Sequence, residues 1–329
     1  MDTEQNTGFG EIAPLPGFHS ENLETVINLL NDTSIHVLNN SISEQIVTSN
    51  KELSDIFKIN TFPPSIQFGV SLAVLDLLAN SKRMPFYKLF NPTYNKNVPV
   101  NGLLIGTTNE ILKNTEALIA EGYTTLKIKV GKQSLDNDIF IVKKVRTITG
   151  EKTKIRLDAN QAWSLNDALY FAREISDVNI EYIEEPLKHV EELPEFSQIS
   201  GLPVALDESL PDYDPVTGKF PDWLKAIILK PSVIGDINKT IQFIKQAKIQ
   251  NIIPVISSTF ESGLTLNALA QLASIFMPEG TAVGIDTYRW LSQDLLTTPF
   301  KVIQGKVNIK DITKNHINLQ SSCLFPLNR

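Results

Sequence analysis

From about residue 98 onward, short apolar runs alternate with amphipathic segments of helical period, and this alternation limits the possible folds more than any other feature of the chain. The runs are VPVNGLLIG, TLKIKVG, KIRLDAN, IEYIEEP, PVALDES, AIILKPS, IIPVISST and TAVGIDT. Among the segments between them, SLNDALYFAREI puts Leu165, Ala168, Leu169, Ala172 and Ile175 on one stripe, and Ser164 with Asp167 three residues on is a capping start. Strands that alternate with helices pair in parallel. Eight of them over roughly 200 residues is the accounting of a closed (β/α) barrel, and an open doubly wound sheet is the competing arrangement. The polar residues decide between the two. They fall at the C-terminal ends of the apolar runs, run after run, roughly 23 to 31 residues apart. An open sheet would gather its ligand at a single switch point instead. The prediction is a barrel over residues 96–299.

Residues 1–95 read differently. SENLETVINLLN, SISEQIVTSNKELSDIF and the strongly apolar PPSIQFGVSLAVLDLLAN are helical patterns, so this part is expected to be a separate capping domain. The tail, residues 300–329 with the strand-like KVIQGKVNI, is expected to return to it. A net charge of -7 argues against a nucleic-acid backbone as partner and leaves a small molecule as the expected ligand. No window reaches the roughly 18 apolar residues of a membrane span, the N-terminus has no leader pattern, and Cys323 is the only cysteine. The expected compartment is the cytoplasm, with no membrane partner.

The charged residues at the run ends form a set: Lys127 and Lys129, Asp158 with Asn160, Glu184 with Glu185, Asp207 with Glu208, and Lys230, followed by Ser257, Ser258 and Thr259. In a barrel, Asp158, Glu184 and Asp207 come from successive strands and converge. Three partly buried carboxylates cannot all stay ionised without a cation, because desolvation and mutual repulsion raise their pKa values. An all-oxygen donor set suits Mg²⁺, with Mn²⁺ as a substitute. Lys127 and Lys129, two apart on one strand face, are neighbouring ammonium groups. Their repulsion and burial are expected to lower the pKa of Lys129 and make it a base, with Lys230 opposite. The cation would stabilise the enediolate left when a proton leaves the carbon next to a carboxylate. Taken singly, each residue has a plainer reading: a strand-end aspartate is usually a cap or turn residue, and lysines two apart often guard an edge strand. His19, His36, His189 and His316 fit no metal spacing and read as surface or packing residues.

KIKVG, LDANQAW, IEEPL, ALDESL, LKPS and ISSTFESG, in this order, resemble the enolase superfamily in its muconate-cycloisomerase-like branch, and within it the o-succinylbenzoate synthase family. The similarity runs from GFGEIAPLPGF through the barrel to GIDTY. It implies a modified TIM-type (β/α)7β barrel with an α+β cap built from the N-terminal segment and the C-terminal tail. The activity implied is Mg²⁺-dependent syn dehydration of a small carboxylate in menaquinone biosynthesis. By resemblance, Lys129 is the base and later the acid, Lys127 tunes it, and Lys230 faces the other side of the substrate. Asp158, Glu184 and Asp207 hold the metal. Arg156 and Asn160 are polar groups of the site, Ser257, Ser258 and the backbone near Gly284 contact the succinyl arm, and the PLPGF loop with Leu15, Pro16 and Phe18 closes over it. Members of the family usually carry one or two strands before GFGE, so an incomplete capping sheet is expected. A homo-oligomer is compatible with the family.

The same lysines and cation also serve N-succinylamino acid racemases and dipeptide epimerases, in which both lysines exchange protons with one carbon. Dipeptide epimerases resemble one another in a D-x-D on the last strand that holds a substrate ammonium. GIDTY has Asp286 followed by Tyr288, which disfavours a cationic substrate. A barrel used only as a binding module is the remaining alternative.

Overall fold

The computed structural model describes residues 5–32, 59–91, 93–314 and 317–324. The segment SISEQIVTSNKELSDIF, His36 and His316 lie outside the described residues. Strands β2 (Gly102–Leu104), β3 (Thr125–Lys129), β4 (Lys154–Asp158), β5 (Ile180–Glu184), β6 (Val204–Leu206), β7 (Leu224–Leu229) and β8 (Ile253–Ile256) form one parallel sheet in sequence order. Parallel neighbours require crossovers. The one from β6 to β7 has only the 3-10 turn Leu210–Asp212, and α-helices supply all the others. These are α3 (Thr108–Ala120), α4 (Leu135–Thr149), α5 (Leu165–Glu174), α6 (Leu193–Ser200), α7 (Pro231–Ile234) and α8 (Ile237–Ile249), with α9 (Gly263–Phe276) following β8. They come after α1 (Leu23–Asp32) and α2 (Pro64–Ser81). Ser164 caps α5 as expected, accepting from Asp167 N, and Thr107 with Glu110 makes a reciprocal box at α3.

The sheet closes on itself. TAVGIDT does not make a regular strand, but Val283 bridges Val100 and Gly284 bridges Ser257. Val283 N donates to Pro99 O at 2.9 Å, Asn101 N to Val283 O at 3.0 Å and Gly284 N to Ile256 O at 2.8 Å. This segment therefore joins β8 to the start of β2, and the result is the expected TIM-like barrel. VPVNGLLIG, read as one run, is divided: β1 (Asn97–Pro99) pairs antiparallel with β9 (Lys306–Asn308), and only Gly102–Leu104 enters the barrel. Through residues 306–308 KVIQGKVNI thus pairs at the start of the barrel, while Ile317, farther along the tail, lies with Asn6, Thr7, Phe9, Asn80 and Arg83 of the N-terminal part. The short α10 (Ile309–Ile312) follows it, with Ile309 N donating to Lys96 O at 3.0 Å.

Period-two alternation sets the contents of the barrel. Tyr182, Ala205, Ala226, Ile228 and Val255 fill the interior, while larger apolar side chains of strands and helices pack between the two layers. All of these but Ala226, which lies one layer deeper, have a polar residue two positions on, at the C-terminal mouth: Glu184 above Tyr182, Asp207 above Ala205, Lys230 above Ile228, Ser257 above Val255.

The N-terminal segment reaches the barrel by lying along α2. A Cβ on Gly8 would come within 2.1 Å of Ala73 O, and one on Gly10 within 1.9 Å of Gly69 O, so only glycine permits this approach. Glu11 then accepts from Ser262 N at 2.9 Å and Ser262 Oγ at 2.7 Å, tying the segment to the N-terminus of α9.

Candidate active site

Five successive strand ends, β3 to β7, bring the charged residues into one row. Register places Lys129 beside Asp158 and Asp158 beside Glu184, while Asp207 follows the last residue of β6 and Lys230 the last of β7. Carboxylate oxygens of Asp158, Glu184 and Asp207 lie within 4.8 Å of one another, and all three residues are buried. Lys127 Nζ meets Asp158 Oδ2 at 2.7 Å and Glu184 Oε2 at 2.6 Å. Lys129 Nζ donates to Asp158 Oδ2 and to Asn160 Oδ1, each at 2.6 Å. Lys230 Nζ donates to Asp207 Oδ2 at 2.5 Å.

The electrostatics follow from burial and sign. Burial pushes Glu184 up, Lys127 opposes it, and the neighbouring Asp158 and Asp207 add to the rise, which reaches about 8. Burial would also raise Asp158, but Lys127 and Lys129 outweigh it and hold this carboxyl well below the ordinary range. The donor set therefore does not ionise fully by itself, as expected of a site built for a cation. The carboxylates act in the opposite sense on Lys127. Burial works against its ammonium, but Asp158, Glu184 and Asp207 lift its pKa well above the ordinary lysine value. Lys230 is raised too, burial being outweighed mainly by Asp207 and Glu208. Carboxylate oxygens from nearby strands lie within 2.7 Å of these ammonium groups, and at such range opposite charges dominate.

A cavity of about 290 Å³ opens over this row. Lys127, Lys129, Asp158, Asn160 and Lys230 line one part of it, and Ser257, Ser258 and Gly284 another. Ser257 and Ser258 hydroxyls donate to Gly284 O at 3.2 and 3.1 Å, which fixes the β8 end against the closing segment. Phe18 covers Lys230, with 4.7 Å from Nζ to the ring centroid, and meets Phe260 edge-on at 6.4 Å. Leu15 stands behind it: its carbonyl accepts from Phe18 N and His19 N, and its own N–H donates to His19 Nδ1. His189 is exposed beside Glu191.

Arg156 is not brought into this cavity. It lies inside the barrel below the row, bonded to Glu181 Oε2 at 2.6 Å and Ala282 O at 2.8 Å, with its guanidinium 5.0 Å from the Tyr182 ring centroid. A bulge in β5 explains the partner, since β4 passes from Ile155 to Arg156 while β5 passes from Ile180 to Tyr182, which leaves Glu181 as the extra residue. Arg156 touches the cavity only through Asn101, whose Oδ1 accepts from it at 3.3 Å.

Several residues that sequence reasoning left without a base, ligand or contact role are brought to the site by the fold. Asn101, Phe260, Asp286 and Thr287 line the cavity. Asp286 accepts from Arg289 Nε at 3.0 Å, and Arg289 continues to Tyr123 OH and Glu121. Burial nevertheless lifts Asp286 to about 6. Glu208 accepts from Asn160 Nδ2 at 2.7 Å and so turns the amide oxygen toward Lys129. Glu185 is fully buried beneath the Asp207 loop. Glu185, Glu208 and Asp286 stand at run ends and are visible in the sequence, but the partners that define their roles are not.

Residues 110–313 match the family of enolase C-terminal domain-like proteins. The o-succinylbenzoate synthase of Aliivibrio salmonicida is 31% identical over 286 residues, covering 86% of this chain and 79% of that one. Protein PHYLLO, chloroplastic, of Arabidopsis thaliana is 29% identical over 377 residues, which is 98% of this chain but only 22% of that much longer protein. Among solved structures, MenC from Desulfotalea psychrophila superposes with a TM-score of 0.74 at 25% identity, covering 93% of this chain and 91% of that one. A dipeptide epimerase from Enterococcus faecalis, complexed with Mg and a dipeptide, superposes with a TM-score of 0.75 at 24% identity, covering 89% of this chain and 82% of that one.

Proposed function

The chain belongs to the enolase superfamily, among its o-succinylbenzoate synthases, and from that membership we propose that it dehydrates 2-succinyl-6-hydroxy-2,4-cyclohexadiene-1-carboxylate to 2-succinylbenzoate, a step of menaquinone biosynthesis. The observation that carries the reading is the placement of Lys129 and Lys230 in one cavity, each paired to a different member of a buried carboxylate triad.

Asp158, Glu184 and Asp207 would hold Mg²⁺, with Mn²⁺ as a substitute; the donor set fits, being three buried oxygen ligands of which one resists ionising by itself. When bound, the cation supplies charge against the substrate carboxylate as it becomes an enediolate. Lys129 removes the proton from the carbon next to that carboxylate, and the electron pair of the broken C–H bond passes into the enediolate. The same Nζ then returns the proton to the departing hydroxyl on the same face, so that water leaves and the ring becomes aromatic. Asn160 accepts from Lys129 Nζ at 2.6 Å and holds that nitrogen at the cavity wall. Lys230 favours the anionic intermediate by its charge, and Lys127 keeps Asp158 and Glu184 in place. Ser257, Ser258 and the Gly284 backbone receive the succinyl arm, while Leu15 and Phe18 close the mouth and exclude water. Residues 1–95 with 300–329 serve as the cap, and 96–299 as the catalytic barrel. We place the protein in the cytoplasm, where such small carboxylates are made.

One observation favours a second reading. Two lysines facing one cavity are what a racemase or epimerase needs. Against a cationic substrate stands Asp286, whose charge is already matched by Arg289.

The test is an ultraviolet assay for 2-succinylbenzoate formation with Mg²⁺, repeated with a chelator. Turnover that chelation stops supports the reading. Folded, metal-loaded protein that only exchanges the substrate α-proton with deuterated solvent would replace dehydration by racemisation.

A further inference from the structure

Of the three carboxylates in the triad, two are fixed by the sheet and one is not. Asp158 and Glu184 are the last residues of β4 and β5, paired in register, with Ala159 N donating to Glu184 O at 3.1 Å. Asp207 lies one residue beyond β6, a strand of only three residues, on a bend where no ladder bond takes up its N–H. That N–H donates to a side chain: Glu185 Oε1, at 2.9 Å. The same oxygen accepts from Ser209 N at 2.9 Å, and Oε2 accepts from Ser209 Oγ at 2.9 Å and Gln161 Nε2 at 3.3 Å. Glu185 is 0% exposed and does not line the cavity, so it cannot touch a substrate.

The backbone around Glu185 is bent to make this possible. Glu185 has φ +39°, and Asn160 and Gln161 on the neighbouring strand end have φ +45° and +57°. Left-handed backbone is costly for residues with a Cβ, and three such residues at two adjacent strand ends persist only where side-chain bonds over-determine them. The bonds present are those of the Glu185 carboxylate, together with Gln161 N donating to Glu185 O at 2.7 Å. A carboxylate that turned outward would leave the Asp207 and Ser209 N–H groups buried and unpaired.

We propose that Glu185 is the positioning residue of the cation site: it holds the Asp207 loop so that Asp207 completes the set begun by Asp158 and Glu184. The inference rests on the metal-binding reading above and adds to it a residue that carries no ligand atom. Partners of this kind, one bond removed from a metal, are generally worth 10- to 100-fold in affinity.

The experiment is a calorimetric titration of chelator-stripped full-length protein with Mg²⁺, on samples whose circular dichroism and melting show the fold. Glu185→Asp keeps the charge but withdraws the carboxylate by about one carbon–carbon bond, ~1.5 Å. It is expected to weaken Mg²⁺ binding at least about tenfold. Glu185→Gln keeps an oxygen for both N–H donors and is expected to stay within about threefold of wild type, a rescue that a role resting on the carboxylate's charge would not show. Glu185→Ala is a second truncation, expected to lose at least as much affinity as Glu185→Asp. Wild-type affinity in either truncation overturns the proposal while leaving the metal site intact. Failure of the wild-type protein itself to bind Mg²⁺ overturns the metal site and this proposal together.

Discussion

The carboxylate triad should take up its cation only by giving up a proton. Without metal, burial pushes Glu184 up to about 8 against the pull of Lys127, and Asp158 and Asp207 contribute to the rise. A carboxyl with that pKa is about 90% protonated at pH 7, and a ligating carboxylate must be ionised, so binding at pH 7 should release close to one proton per metal. Lys127, held well above the ordinary lysine value, keeps its proton throughout this range and is not the source. Because these groups titrate as a set, the proton belongs to the cluster, and its release is what can be counted. The sign is fixed by the direction of the shift: affinity rises with pH, about tenfold from pH 6 to pH 7, and levels off above about 8. That slope corresponds to about 1.4 kcal/mol per pH unit. The assay is titration of stripped protein with Mg²⁺ at pH 7 in two buffers of different ionisation enthalpy. Proton release makes the observed heats differ by the difference between the buffers. Equal heats, with an affinity unchanged between pH 7 and pH 6, would refute the reasoning. Glu184→Gln should abolish both the binding and the buffer dependence.

Three further outcomes are expected. Lys129→Ala removes the proposed base and should lower kcat by at least about 10³, with the fold and Mg²⁺ affinity retained; unaltered turnover would assign the proton transfer elsewhere. Gly10→Ala would drive a Cβ to 1.9 Å from Gly69 O, so the N-terminal segment must lift from α2 and take the Glu11 anchor and the Phe18 cover with it. The overpacking costs about 1–3 kcal/mol, and kcat/KM is expected to fall about tenfold or more while Mg²⁺ affinity, read by titration, stays put. Asp286 is raised to about 6 by burial, so its contribution to stability is fully present below its unfolded value of about 3.8 and is lost as pH rises through 6. In urea unfolding, Asp286→Asn should flatten this part of the stability profile by up to about 3 kcal/mol, and an unchanged profile would contradict the assignment.

What could be read in the sequence and what could not divide along one physical line. A side chain's face is set by a period of two within a strand, so TLKIK, KIRLD and IEYIE reveal locally that Lys127, Lys129, Asp158 and Glu184 look the same way. The barrel follows because parallel strands with helical crossovers leave few ways to close. Where the geometry depends on a distant partner, local pattern gives no signal. VPVNGLLIG reads as one strand because its division is imposed by residues 306–308, about two hundred positions away. The lysine pair reads as mutual repulsion because the sequence places like charges two apart. It cannot show that Glu184, two strands over, approaches Lys127 to 2.6 Å and reverses the balance. Arg156 keeps the expected face but falls one layer too deep, where the β5 bulge supplies Glu181. Glu185 is the sharpest case. Alternation sends it away from Glu184, toward the helices, where a buried carboxylate would have no partner. The left-handed turn at its own Cα instead carries it sideways under the next strand end. Nothing in the letters EEP marks a non-glycine residue for that conformation; the three donors from Asp207 and Ser209 do, and they exist only once β6 lies beside β5. The groups that touch a ligand can thus be inferred from single strands, and those that aim them only from the assembled sheet.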